Sequence, residues 1–197
     1  MKTKTNWLVK VGMLSAISFI LMLLEFPLPF IAPPFYEMDF SEVPVLIGAF
    51  ALGPLAGVTI ELIKVLLNLL LIGTITAGVG EAANFLIGVS YILPAAFIYR
   101  YFKTKKGAVL GMAAGSVVMV ILGGFLNLYV LIPTFGKALN LPMDAFVEMG
   151  SSIFPVVNSL KMLVLVCVIP FNALKVVLTS LITALIYKHI SPVLKKR

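Results

Sequence analysis

From Gly107 to Ile132 the chain carries no charged residue, and comparable apolar runs recur from one end to the other. One helical crossing of a bilayer takes about 20 mostly apolar residues. Backbone N–H and C=O groups find no water at that depth, so such runs fold as helices that satisfy their own hydrogen bonds. Of the 197 residues, 61% are hydrophobic and 12% charged. A soluble domain carries about 25% charged residues. The chain therefore reads as an all-α integral membrane protein. A soluble enzyme, a disordered tail and a secreted disulfide scaffold are excluded. Residues 1–197 form a single membrane domain, with no length left for a soluble catalytic unit.

The apolar pattern predicts six helices, over residues 8–24, 43–53, 55–72, 82–99, 107–132 and 160–187. The first is followed by no small-residue cleavage signal and is expected to be a retained span. Between the first two runs, Pro27, Pro29, Pro33 and Pro34 deny the chain a regular helix. Gly53-Pro54 breaks the next apolar stretch into two helices joined by a tight turn. Gly73 to Gly80 reads as a loop, and Pro133 to about Asn158 as a longer, partly amphipathic connection.

Net charge is +7, and eleven of the Lys and Arg residues sit at the two ends and after Arg100, with no acid among them. Cytoplasmic loops carry the Lys/Arg excess. Both termini and the segment after Arg100 should face the cytoplasm, and the proline-rich loop, with Glu25, Glu37, Asp39 and Glu42, should face outside. That orientation requires the stretch from Val43 to Ile72 to cross twice or not at all, and two crossings joined at Gly53-Pro54 are the better reading. A basic excess placed at membrane edges implies lipid contact and topology, with no nucleic-acid partner.

Polar groups inside these runs are the candidate functional residues, because intramembrane charges usually face a protein interior or cavity. Glu61, Lys64 and Asn68 recur at helical spacing. A structural ion pair is the leading reading for the two charges, and a ligand contact the second. Asn172 and Lys175 follow Pro170, which should kink or interrupt the last helix. Interrupted helices with polar groups near mid-depth mark substrate sites in transporters. The other reading is interhelical hydrogen bonding. Asn127 and Asn84 are weaker signals at depths compatible with a shared pocket. Phe26, Phe30, Phe35, Tyr36, Met38 and Phe40 fit either an interfacial belt or a cap over a flat apolar ligand. Gly12 and Ala16 form a small-xxx-small pair, open to packing within the chain or to docking of another subunit. Cys167 lies alone in an apolar run and reads as a small core residue. No P-loop, no His-Glu-x-x-His, no Gly-x-Ser-x-Gly and no Cys/His cluster is present, so neither ATP hydrolysis nor an enzyme activity is expected, and no metal or cofactor.

Several ordered elements carry a resemblance. They are Glu25-Phe-Pro-Leu-Pro-Phe, Met38-Asp-Phe-Ser-Glu-Val-Pro, Gly53-Pro-Leu-Ala-Gly, Lys64 to Asn68, Ala83-Asn-Phe-Leu, Leu126-Asn127 and Ile169-Pro-Phe-Asn-Ala-Leu-Lys175. In this order they resemble the riboflavin-specific S components of the energy-coupling factor (ECF) transporters of Gram-positive bacteria. The resemblance implies a six-helix substrate-binding subunit of the cell membrane that captures riboflavin from outside. Its partners would be a transmembrane coupling protein and two cytosolic ATPases. It implies polar flavin contacts at Asn127, Asn172 and Lys175. Met38, Phe40 and Glu37 would belong to a capping loop, Asn84 would line the pocket, and Gly12 and Ala16 would form the docking face. Riboflavin would be cargo, not a cofactor. Glu37 departs from the small polar residue expected at its position. Two other readings remain open: an S component for another vitamin, and a membrane interaction or assembly protein without a small ligand.

Overall fold

The computed structural model describes residues 2–195; Lys196 and Arg197, two of the bases counted above, lie outside the described residues. The architecture is helical. Helix α1 spans Lys2–Leu23, α2 Glu42–Leu52, α3 Pro54–Leu71 and α4 Val79–Phe102. Helix α5 spans Lys105–Leu126 and continues through a π-turn at Asn127–Leu131 into α6, Ile132–Leu139. Helix α7 spans Met143–Ser151. Helix α8, Leu160–Leu163, runs through a second π-turn, Val164–Val168, into α9, Ile169–Lys195. Five helical stretches are long and apolar enough to cross a membrane: Lys4–Leu23, Pro54–Leu71, Val79–Phe102, Lys105–Leu139 and Leu160–Ile190.

Helix α2 differs from these in length and in burial. Its 11 residues extend only about 16 Å, roughly half the hydrocarbon thickness. Every residue from Glu42 to Phe50 is buried, as expected of a helix apolar on all sides. It packs against α1, α3, α4 and α9, so it is the central post of the bundle. Pro54 opens α3 at a position where its missing N–H costs nothing. Gly53 before it has φ 106°, a conformation open to glycine at no steric cost.

One expected boundary is corrected. The fifth run extends beyond 132, to Leu139, and the partly amphipathic connection from Pro133 to Asn158 is built of α6 and α7. At Pro170, where a kink or an interruption is expected, the helix runs on through a widened turn. The Ile169 N–H bonds to the Val164 carbonyl, one residue beyond α-helical reach, and the widened turn absorbs the proline. The same device precedes Pro133, where the Ile132 N–H reaches the Asn127 carbonyl. Single π-turns of this kind are frequent at functional sites, and the first contributes Asn127 and Leu131 to the cavity described below.

Close packing of α4 on α5 depends on small residues. A Cβ at Gly115 would collide with the Tyr91 carbonyl oxygen, and one at Gly111 would come within 2.6 Å of the Ala95 carbonyl oxygen. Helices without a hydrophobic drive between them associate through such contacts. Two apolar clusters result. One joins Val11, Leu46, Ile60, Tyr91 and Met112 within the bundle. The other gathers Met38, Ile132, Phe146, Leu163 and Phe171 under the first loop. Cys167 is fully buried in the second, as a small core residue.

On α1, Val11, Leu14, Ser15, Ser18 and Met22 face inward, whereas Gly12 and Ala16 lie on the exposed face. A Cβ at Gly12 would meet nothing within 4 Å. Packing of this pair within the chain is therefore ruled out.

Candidate functional site

The loop from residue 24 to 41 is pinched at its base. Phe26 and Pro27 pair antiparallel with Met38 and Glu37. This two-residue ladder brings Glu25 and Glu37 together and folds residues 28–36 over the second apolar cluster. Phe35 packs at a tilt against Tyr36 and Phe135 and edge-on against Phe146, and Tyr36 lies 5.8 Å from Phe171, ring to ring.

Beneath the loop is a cavity of about 480 Å³, within the range of about 300–1,000 Å³ typical of small-molecule sites. Its apolar wall includes Met22, Phe35, Leu131, Phe135 and Phe171. Its polar wall includes Asn68, Glu81, Asn84, Asn127, Asn172 and Lys175. Asn127 and Asn172 converge from different helices. The Asn127 amide donates to the Gly123 carbonyl at 2.8 Å, and a Cβ at Gly123 would stand 3.0 Å from Asn172 Nδ2. Tyr36 donates its hydroxyl to Asn127 Oδ1 at 2.7 Å; burial pushes the phenol pKa up, so it stays a neutral donor. The side chains of Asn68, Asn84 and Asn172 form no hydrogen bond with the described residues, and they line the cavity with donors and acceptors unengaged.

Lys175 is held by Asp39 at 2.6 Å. Burial alone would raise the Asp39 pKa. The Lys175 and Lys64 charges, with hydrogen bonds from Lys175 and the Ser41 N–H, outweigh it and hold the carboxyl at about 2. A depressed carboxylate stabilises the fold above its unfolded pKa of about 3.9, and the contribution is lost as pH falls through about 2. Asp39 therefore stays ionised at physiological pH. At the rim, partial burial and the neighbouring Glu37 and Asp39 push Glu25 up to about 7, opposed by Lys175.

A second charged group adjoins the cavity, with Glu42 in its lining. Lys64 Nζ lies 2.8 Å from Glu42 Oε1 and 2.7 Å from Glu61 Oε1, and all three side chains are buried. Ser41 links the two groups. Its N–H bonds Asp39 at 2.7 Å, its hydroxyl accepts from Lys64 at 3.3 Å, and its carbonyl accepts from Ser18 of α1 at 2.5 Å. Gly88 lets α4 pass: a Cβ there would collide with Glu61 Oε1. The structural ion-pair reading of Glu61 and Lys64 thus holds, with Glu42 as an added partner.

Of the residues singled out in the sequence, Glu37, Asn84, Asn127, Asn172 and Lys175 line the cavity. Met38 does not: strand alternation turns it away from Glu37 into the apolar cluster, where it is 1% exposed. Phe40 is also outside the lining and rests against Phe26, 6.3 Å ring to ring. Sequence reasoning missed Asp39 as the partner of Lys175, 136 positions away. It also missed Phe135 and Phe171, although Phe171 directly adjoins Asn172.

The family model for the ECF transporter substrate-specific component matches residues 6–187. The chain belongs to the ECF transporter S components. A riboflavin transporter, RibU, of Staphylococcus aureus is 36% identical over 96% of this chain and 92% of its own length. The riboflavin transporter FmnP of Bacillus subtilis is 34% identical over 96% of this chain and 94% of its own. A solved structure described as the S component of a bacterial ECF transporter superposes with a TM-score of 0.76 at 34% identity, covering 98% of this chain and 99% of that one. The chain is thus a multi-pass cell-membrane protein and a substrate-binding transporter component, not an enzyme.

Proposed function

We propose that this S component captures riboflavin from the outer side in the cavity under the first loop. The observation that carries this reading is the cavity itself: one wall aromatic, the other bearing unengaged amides and an ammonium. An isoalloxazine is flat and apolar over its faces, with carbonyls and ring nitrogens along one edge. Asn172 and Lys175 supply donors for that edge, with Asn127 beside them. Asn84 and Glu37 reach the rest of the ligand. Met38 and Phe40 act by holding the loop in place. The relatives named as riboflavin transporters support the same ligand. Titration of the detergent-purified chain with riboflavin should quench flavin fluorescence to saturation at one equivalent. No quenching by riboflavin, with quenching or heat from another vitamin, would move the assignment to that vitamin.

The proposal includes six crossings with both termini in the cytoplasm. The short α2 completes the second crossing together with the loop residues above it, since non-helical backbone is tolerated at depth where protein buries it. It also includes the partners of the family: a transmembrane coupling protein and two cytosolic ATPases, which supply the ATP hydrolysis this chain has no motif for. Gly12 and Ala16, exposed on α1, are the proposed docking face. Gly12→Trp should abolish most riboflavin uptake in cells while riboflavin affinity of the purified chain changes less than about threefold, a surface substitution being worth about 0.5 kcal/mol. Equal losses of uptake and affinity would remove that face from docking.

A further inference from the structure

The end of the bundle opposite the cavity carries a patch that ligand capture does not use. Helix α4 borders the cavity at Gly80, Glu81 and Asn84, and its other end lies roughly 30 Å further along the helix axis. There Arg100, Tyr101, Phe102, Lys103, Lys105 and Lys106 follow one another closely, and all are exposed. Helix α9 adds the exposed Lys188. The hydroxyls of Tyr99 and Tyr187, the residues just before Arg100 and Lys188, lie 3.2 Å apart, so the two helix ends meet. No acid occurs between Glu81 and Asp144 or after Glu148. None of these bases is ion-paired with a described residue.

The turn that presents these side chains is fixed by its own bonds. The Lys103 N–H closes α4 on the Tyr99 carbonyl at 2.7 Å. The Thr104 hydroxyl caps α5 by accepting from the Gly107 N–H at 3.0 Å. Gly107 is buried against α4, where a Cβ would come within 2.7 Å of the Phe102 Cβ. Lys103 itself has φ 26° and ψ 33°. In that left-handed region a glycine is free and a side chain crowds the next carbonyl, so a cation is held there at a steric cost. Residues strained in this way collect at ligand clamps. Beside them Tyr101 is 84% exposed, with its ring edge-on to Phe102 at 4.9 Å.

We infer that this patch binds an anionic glycerophospholipid, whose phosphate and acidic headgroup lie among Arg100, Lys103, Lys105 and Lys106 and whose chains run beside Tyr101 and Phe102. The Arg100 guanidinium is shaped for a phosphate. Lysine stems lie along apolar surface while their ammonium groups reach the headgroups. Aromatic rings, tyrosine above all, settle at the same level of the bilayer. Several unpaired bases in one place favour an acidic headgroup over a zwitterionic one. An acidic protein surface would also suit the bases, but the exposed aromatic pair at the end of an apolar helix favours lipid. In the orientation proposed above the site lies at the inner leaflet. The inference is otherwise independent of the riboflavin reading.

The test is a thermal-melt titration of the full-length chain in a neutral detergent, with phosphatidylglycerol and phosphatidylcholine of equal chain length. A lipid that binds the folded chain raises its melting temperature by mass action. Phosphatidylglycerol should reach half of its effect at a concentration at least about tenfold lower than phosphatidylcholine. Inorganic phosphate at the same concentrations should give no rise. Lys103→Gln, Lys105→Gln and Lys106→Gln together should bring the two lipids within about threefold of each other. Raising salt should shrink the preference on the unmodified chain through screening, which gives the same answer without any substitution. Equal half-points for the two lipids on the unmodified chain overturn the inference. So does a preference that the triple variant keeps. A rise with inorganic phosphate alone would make the bases a site for a soluble anion and overturn the lipid assignment. Riboflavin uptake lost in the triple variant, with no lipid preference on the unmodified chain, would assign the patch to an acidic protein partner instead.

Discussion

Lys64→Met should destabilise the fold by about 3–5 kcal/mol, the cost of removing one partner from a buried ion cluster. The Lys64 ammonium sits between the Glu42 and Glu61 carboxylates with none of its side chain exposed. Without it, two carboxylates remain in an apolar interior, and Ser41 loses the hydrogen bond that ties the loop to α3. For a chain of this size the melting temperature in detergent should fall by about 6–20 °C. Adding Glu61→Gln to Lys64→Met removes one of the stranded charges and should recover part of the loss. A melting temperature unchanged by Lys64→Met would mean that the cluster does not hold the central helix in place.

Lys175→Ala should weaken riboflavin binding by about 100-fold, in line with the roughly 2–5 kcal/mol lost when one member of a buried, hydrogen-bonded charge pair is truncated. Two effects add: the ligand loses an ammonium donor, and Asp39 is left buried without its partner at 2.6 Å. The double variant Asp39→Asn, Lys175→Met separates them. It carries no stranded charge, so the melting temperature should stay within a few degrees of the parent while riboflavin affinity remains low. Fluorescence quenching and thermal melts on the same preparations check both statements. If the double variant binds riboflavin as the parent does, Lys175 is a structural residue and the ligand contact lies elsewhere.

The helices were legible because their signal is local. Apolar runs long enough to span, proline and glycine breaks, and bases at the ends mark each element from its own residues. The end placed at 132 failed where the backbone departed from the α-helix, whereas the run read over 160–187 already passed Pro170. The π-turns before Pro133 and Pro170 let each helix continue past a residue that ordinarily stops it, and nothing in the local composition announces a widened turn. The site was legible only in part, for a related reason. Asn172 and Lys175 stood out as polar residues in an apolar run, but Asp39 lies 136 positions from Lys175. No periodicity relates such a pair; only the packed bundle brings it together. Met38 and Phe40 show the reverse error. They belong to the capping loop in sequence, yet alternation in a two-residue ladder turns Met38 into the core and leaves Glu37 at the cavity.

The most direct measurement is the absorption spectrum of the chain purified in detergent from cells grown with riboflavin, followed by release and quantification of any bound chromophore. A yellow preparation with close to one equivalent of riboflavin per chain is the predicted result. A colourless preparation that also fails to quench added riboflavin would contradict the account, leaving the S-component fold intact and its cavity assigned to a different ligand.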